Sequence, residues 1–149
     1  MIKISVCDDD EGQLTFFKQC FMEYNEKHKE KIEANFYQSV QSLLNEKKFS
    51  PDVYFLDIEL QDGNGLKLAG KIRTRNSKIP IVFITSHEEF MPEAFQVHAY
   101  QYLNEKKNAQ AVENVLNQLA DYFSEQNQIF SFQTYGEMIS LDCRNIICF

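Results

Sequence analysis

Three consecutive aspartates, Asp8-Asp9-Asp10, follow directly on the alternating stretch Ile2-Lys-Ile-Ser-Val-Cys7, and another, Asp57, closes the apolar run Val53-Tyr-Phe-Leu-Asp57. Carboxylates at strand ends become reactive when a fold brings them together. Two like charges ~4 Å apart repel by about 1 kcal/mol in water and nearer 4 kcal/mol at an effective dielectric of ~20. Such a cluster calls for a divalent cation, and an oxygen-only set suits Mg²⁺ with several retained waters. A carboxylate beside that ion can attack phosphorus to form an acyl phosphate, and a hydroxyl such as that of Thr85 can hydrogen-bond a phosphoryl oxygen. Taken alone, Asp8–Glu11 is ordinary charge at a helix start. Asp57 is different, because an ionised group straight after four apolar strand residues is costly unless paired.

The elements that must position these residues are legible from period. Ile2–Cys7 alternates and is rich in β-branched residues, so it predicts a strand. Leu14, Phe17, Phe21 and Tyr24 recur at helical spacing from Glu11 to about Lys27. Ile32–Tyr37 is a second strand, and Ser39 is an N-cap candidate for a short helix carrying Val40, Leu43 and Leu44. Val53–Asp57 and, after Pro80, Ile81–Thr85 are continuously apolar, as expected of parallel strands covered on both faces. Between them a Gly-rich loop, Gln61-Asp-Gly-Asn-Gly65, leads into a helix with Leu66, Ala69 and Ile72. A weaker helix over about Glu88–Val97 contains Pro92, Ala99–Leu103 is the fifth strand, and a strongly periodic helix runs over roughly Ala109–Glu125. Strand and helix thus alternate through residues 1–125, which predicts a doubly wound α/β domain with a five-stranded parallel sheet of order 2-1-3-4-5. In that order strands one and three are neighbours, and ligands bind beyond the carboxyl ends of the strands. Asp8, Asp9 and Asp57 are therefore expected to converge, with Thr85 beside them and Tyr102 on strand five.

Residues 126–149 break the alternation. Ile129–Thr134, the turn Tyr135-Gly136 and Met138–Leu141 suggest a short β-hairpin extension, followed by the strand-like Asn145–Phe149.

Composition bounds the function. With 149 residues, 44% hydrophobic, the chain can bury a core, and a net charge of −7 excludes a generally basic nucleic-acid binder. No apolar stretch approaches the ~18–20 residues of a membrane span, so a cytoplasmic protein with no membrane partner is expected. Cys7, Cys20, Cys143 and Cys148 lack paired zinc-site spacing and read as buried thiols, while His28, His87 and His98 lie apart. Neither G-x-G-x-x-G nor G-x-x-x-x-G-K-[ST] occurs, and three carboxylates after strand one would repel a phosphate in the absence of a metal.

Four stretches, in order and at matching spacing, resemble the receiver domains of two-component response regulators. They are Ile4-Ser-Val-Cys-Asp-Asp-Asp10, Phe55-Leu-Asp-Ile-Glu-Leu60 with Asp62-Gly63, Ile81-Val-Phe-Ile-Thr-Ser-His87, and Ala99-Tyr-Gln-Tyr-Leu103. The resemblance implies a flavodoxin-like fold and a regulatory phosphoacceptor instead of an enzyme, although such a domain assists its own phosphoryl transfer and dephosphorylation. Asp57 would accept a phosphoryl group from a sensor histidine kinase. Asp9 would ligate Mg²⁺ directly, Asp8 through water, and Glu59 by its backbone carbonyl. Thr85 would be the switch hydroxyl and Tyr102 the switch aromatic. The face formed by strands four and five, or the C-terminal strands, would serve a homodimer.

One position departs from the pattern. Where the family places a lysine before proline, this chain has Glu105, then Lys106 and Lys107. Either Lys106 supplies the cation or phosphorylation is impaired, because an acid there adds repulsion. The motif wording, Cys7 before the acids and Ile84-Thr-Ser-His87 at strand four, resembles the LytTR-type subfamily, and residues 126–149 resemble the opening of its DNA-binding domain. That implies transcription regulation by a complete protein. DNA binding is expected only through a complete output domain, because 126–149 carries Arg144 against Glu137 and Asp142. Two rivals remain: a phosphorylation-independent pseudo-receiver, and a haloacid-dehalogenase-like phosphatase with Asp8 as nucleophile and Asp10 as acid/base. The second lacks a late acidic pair and leaves Asp57 without a role.

Overall fold

The computed structural model describes residues 1–85, 88–103 and 108–140, with side chains for all of these except Glu88 and 127–140. Ser86, His87, residues 104–107 and 141–149 lie outside the described residues, so the Glu105 and Lys106 expectations and the strand over Asn145–Phe149 fall there too.

Five parallel strands form the sheet: β1 (Ile2–Cys7), β2 (Ile32–Tyr37), β3 (Val53–Asp57), β6 (Ile81–Ile84) and β7 (Gln101–Leu103). Their order is β2-β1-β3-β6-β7, the expected 2-1-3-4-5. The Gly-rich loop after β3 holds two more short strands, β4 (Glu59–Leu60) and β5 (Gly63–Asn64), paired as a small antiparallel hairpin. Helices α1 (Glu11–Lys27), α2 (Val40–Asn45), α3 (Gly65–Arg75) and α4 (Met91–Gln96) alternate with the strands, and α4 follows a single 3-10 turn at Glu88–Phe90.

The continuous apolar runs are central strands, as anticipated. Val53, Phe55 and Leu56 of β3 and Ile81, Val82 and Phe83 of β6 are fully buried. On one face of the sheet Phe17 and Phe21 of α1 meet Phe55 edge-on, each at 5.8 Å between ring centroids, a geometry that aligns ring edges with π-faces. On the other face Leu68, Ala69 and Ile72 of α3 join a cluster that includes Cys7, Leu56, Ile58 and Phe83. Local capping fixes where each helix starts. Asp10 accepts from the backbone N–H of Gly12 and Gln13 at α1, and Ser39 and Ser42 make a reciprocal capping box at α2. Asn64 does the same for α3 through the N–H of Leu66 and Lys67.

The chain divides into two units, Met1–Glu113 and Asn114 onward. Helix α5 begins at Ala109 in the first and, within the second, continues to Ser140. This corrects the hairpin expected after residue 125, since Ile129–Thr134 and Met138–Ser140 are helical. Aromatic and β-branched residues had suggested strands there. A strand needs a partner to satisfy its backbone and a lone two-stranded hairpin is marginal, whereas a helix pairs its own N–H and C=O groups. No proline lies beyond Pro92 to stop it, and Gly136 alone costs only about 1 kcal/mol. Among the described residues, no helix is long and apolar enough to cross a membrane.

Candidate functional site

The site grows from strand register. Cys7 of β1 stands opposite Leu56 of β3, so the next residues, Asp8 and Asp57, emerge side by side; Asp57 in turn stands opposite Ile84, which places Thr85 one residue further on. Asp8 is fully buried, Asp57 is 5% exposed and Thr85 is 1% exposed. One carboxylate oxygen each from Asp8, Asp9 and Asp57 lie within 4.8 Å of one another. The three acids singled out from the sequence therefore converge.

Backbone amides hold these carboxylates in place. Asp8 Oδ1 accepts from Asp10 N at 2.9 Å, and its own N–H donates to the carbonyl of Tyr37 at 3.0 Å. Asp9 Oδ2 accepts from Gln61 N at 3.0 Å, reaching across to the β4–β5 turn. Glu59 lies in β4, opposite Asn64. Gly65 donates its N–H to the Ile58 carbonyl at 2.8 Å, and a Cβ there would lie 2.1 Å from the Asp57 carbonyl oxygen, so only glycine permits this approach. Thr85 N donates to the carbonyl of Leu103 at 3.0 Å, tying the hydroxyl-bearing end of β6 to β7. Tyr102 sits opposite Phe83 in that pair and is half-buried against the core cluster beneath the site.

Cys7 registers the field these acids produce. Burial, followed by the negative charges of Asp62, Asp8, Asp57 and Asp9, pushes its thiol from 9.0 up to about 12. Cys7 and Cys20 are buried free thiols, as the sequence implied; Cys143 and Cys148 lie outside the described residues.

An oxygen-only set of this density matches a hard divalent cation, which would offset the mutual repulsion of the three acids. The residues present thus fit Mg²⁺. One residue escaped attention as more than part of a motif. Asp62 accepts from the N–H groups of Val40 and Gln41, at 2.9 and 3.0 Å. Its partners are backbone groups more than twenty residues away in the chain, so no local spacing announces them.

An acidic crevice at the carboxyl ends of β1 and β3, on a doubly wound sheet of order 2-1-3-4-5, lies where this class of fold binds its ligands. The family of response regulator receiver domains matches residues 4–117, and this chain belongs to it. Receiver domains are regulatory phosphoacceptor modules that receive phosphate from histidine kinases. The chain is similar to an uncharacterized response regulatory protein of Yersinia pestis, 29% identical over 120 residues, which are 80% of this chain and 49% of that protein. It is also similar to the sensory transduction protein LytR of Staphylococcus haemolyticus, 32% identical over 95 residues, 64% of this chain and 36% of that protein. These relatives accord with a LytTR-type receiver, and the chain spans half of their length or less. Among solved structures, the response regulator TrrA of Thermotoga maritima in complex with Mg²⁺-BeF has a TM-score of 0.67 at 22% identity, covering 80% of this chain and 99% of that one. The non-phosphorylated HemR receiver domain of Leptospira biflexa has a TM-score of 0.68 at 20% identity, covering 79% and 93%. Both share the fold.

Proposed function

We propose that this receiver domain accepts a phosphoryl group on Asp57 from a sensor histidine kinase, with Mg²⁺ held by Asp9, Asp57, the Glu59 carbonyl and, through water, Asp8. The observation that carries this reading is the approach of the Asp8, Asp9 and Asp57 oxygens within 4.8 Å at the ends of adjacent parallel strands. A carboxylate oxygen of Asp57 attacks phosphorus, the bond between phosphorus and the donor breaks, and an acyl phosphate forms. The bound ion would offset the acids and the incoming phosphoryl charge. Asp8 and Asp9 keep the cation next to Asp57, while the Thr85 hydroxyl donates to a phosphoryl oxygen. Tyr102, packed behind β6, reports that movement to the face of β6 and β7, which serves a homodimer. In this way the domain assists its own phosphoryl transfer and loss. Glu105, where the family has lysine, shortens the lifetime of the phosphorylated state by repulsion.

In the complete protein the domain controls transcription, with residues 126–149 leading into an output domain that alone contacts DNA. The LytR relatives and the low positive charge of this segment support that reading.

Intact mass after incubation with Mg²⁺ and a small acyl-phosphate donor tests it. The wild type gains one phosphoryl group, Asp57→Asn gains none, and Glu105→Lys holds the label longer. Label persisting in Asp57→Asn would sink the assignment, and label on Asp8 would point to phosphatase-like chemistry. A wild type that binds Mg²⁺ but takes no label would be a pseudo-receiver.

A further inference from the structure

The β4–β5 hairpin carries the Glu59 carbonyl, yet its strands are two residues each and its turn, Gln61-Asp62, is exposed. A ribbon that short does not hold its own shape. Two carboxylates grip it at successive residues: Asp9 takes the N–H of Gln61 at 3.0 Å, and Asp62 reaches out to α2 with both oxygens. An oxygen of Asp9 that serves a cation draws on the same carboxylate that holds Gln61. The tether independent of the metal is Asp62.

We propose that Asp62 is a positioning residue for the metal end of the site, tying the β4–β5 hairpin to the first turn of α2 so that the Glu59 carbonyl and the Gln61 amide stay aligned with Asp9. The inference rests on the Mg²⁺ reading above. Three observations support it beyond the hydrogen bonds themselves. Helix α2 already has its own cap, because Ser39 Oγ accepts from Ser42 N at 3.1 Å and Ser42 Oγ accepts from Ser39 N at 3.3 Å. Asp62 takes the two N–H groups that this box leaves out, those of Val40 and Gln41, so its role is a link between elements. The hairpin also seats closely on α2, since a Cβ at Gly63 would meet Val40 Cγ2 at 3.0 Å. Finally, those two N–H groups hold the Asp62 carboxyl below its ordinary range, which favours the ionised, accepting form of the tether.

Mg²⁺ titration of the intact 149-residue chain by calorimetry, without any phosphoryl donor, reads this directly. Asp62→Ala is expected to weaken Mg²⁺ binding about fivefold, less than the ~10–100-fold typical of groups bonded directly to a ligand. Asp62→Asn, which keeps one acceptor oxygen, should fall between the two. Ser39→Ala is the control: it removes the helix's own cap and lowers the melting temperature while leaving Mg²⁺ affinity within about twofold of wild type. The Asp62→Ala loss should persist at ~0.5 M salt, where an effect of its charge alone would be screened. Equal affinity in Asp62→Ala and wild type would overturn the proposal. So would an equal loss in Ser39→Ala, which would make order in α2 the cause, or a loss that disappears in salt. A wild type that fails to bind Mg²⁺ would instead sink the metal reading on which the proposal stands.

Discussion

At the carboxyl end of the sheet, Asp8, Asp9 and Asp57 crowd three carboxylates within 4.8 Å. At the amino end, ahead of β6 and β7, a single guanidinium does the opposite. Arg73 of α3 donates to the carbonyls of Ile79 at 2.5 Å, Val97 at 2.8 Å and His98 at 2.9 Å, with a longer contact to Asn76 at 3.4 Å. Those carbonyls belong to the segments leading into β6 and β7, so one side chain fixes the entry to both strands. His98, one of the residues it holds, has a φ of 55°, a left-handed conformation that a non-glycine residue adopts only when its surroundings fix it. Burial lowers the Arg73 pKa, but a guanidinium remains charged. A cation meets carbonyl dipoles at one end, and like charges meet at the other. The amino end is therefore arranged for stability, while the carboxyl end stores repulsion that a bound cation would relieve.

Substitutions at the two ends should act with opposite signs. Arg73→Ala has the largest effect, because it strands several carbonyls at once; we expect a loss of about 3 kcal/mol in urea unfolding with Mg²⁺ affinity unchanged. Arg73→Lys should recover only part of this, since an ammonium lacks the planar fork that reaches several carbonyls. If Arg73→Ala unfolds like the wild type, the amino-end clamp is decorative and the comparison fails. Asp57→Asn is expected to raise the stability of the metal-free protein by about 1 kcal/mol, because it relieves like-charge repulsion. Added Mg²⁺ should then raise the melting temperature of the wild type and not that of the variant. A metal-free Asp57→Asn protein less stable than wild type would show that the acids there contribute to holding the fold.

A further effect is confined to alkaline pH. The Cys7 thiol is pushed from 9.0 to about 12 in the folded protein, so folding favours its protonated form. Its contribution is complete below about pH 9 and fades as pH climbs toward about 12. Melting temperatures between about pH 8 and 11 should decline less steeply in Cys7→Ala than in the wild type. Identical slopes would mean that neither burial nor the negative field of the acids holds the Cys7 thiol protonated at the carboxyl end of β1.

How much of this was visible in the sequence depends on where each interaction is encoded. Strand β3 showed as an unbroken apolar run because both of its faces are covered, and Ser39 showed as a cap because its partner Ser42 is three residues away. Asp8, Asp9 and Asp57 could be placed together once strand order was inferred, since parallel register carries them side by side. The clamp of Arg73 and the tether of Asp62 were not visible, because both act on backbone groups, which leave no mark in the identity of the partner residue. The helical course of residues 129–140 was misread for a related reason: Ile129, Phe130 and Phe132 favour strands only where a partner strand exists, and local residue types do not report that.

Gly65 has a consequence for how this chain can diverge. With the Asp57 carbonyl 2.1 Å from where its Cβ would be, position 65 is constrained by the path of the main chain, and position 57, on the reading proposed above, by phosphoryl transfer. The two constraints can part company in descent. A copy that lost the carboxylate at 57 but kept glycine at 65 would have retired the chemistry and retained the scaffold, so among divergent descendants the pair separates working receivers from silent ones.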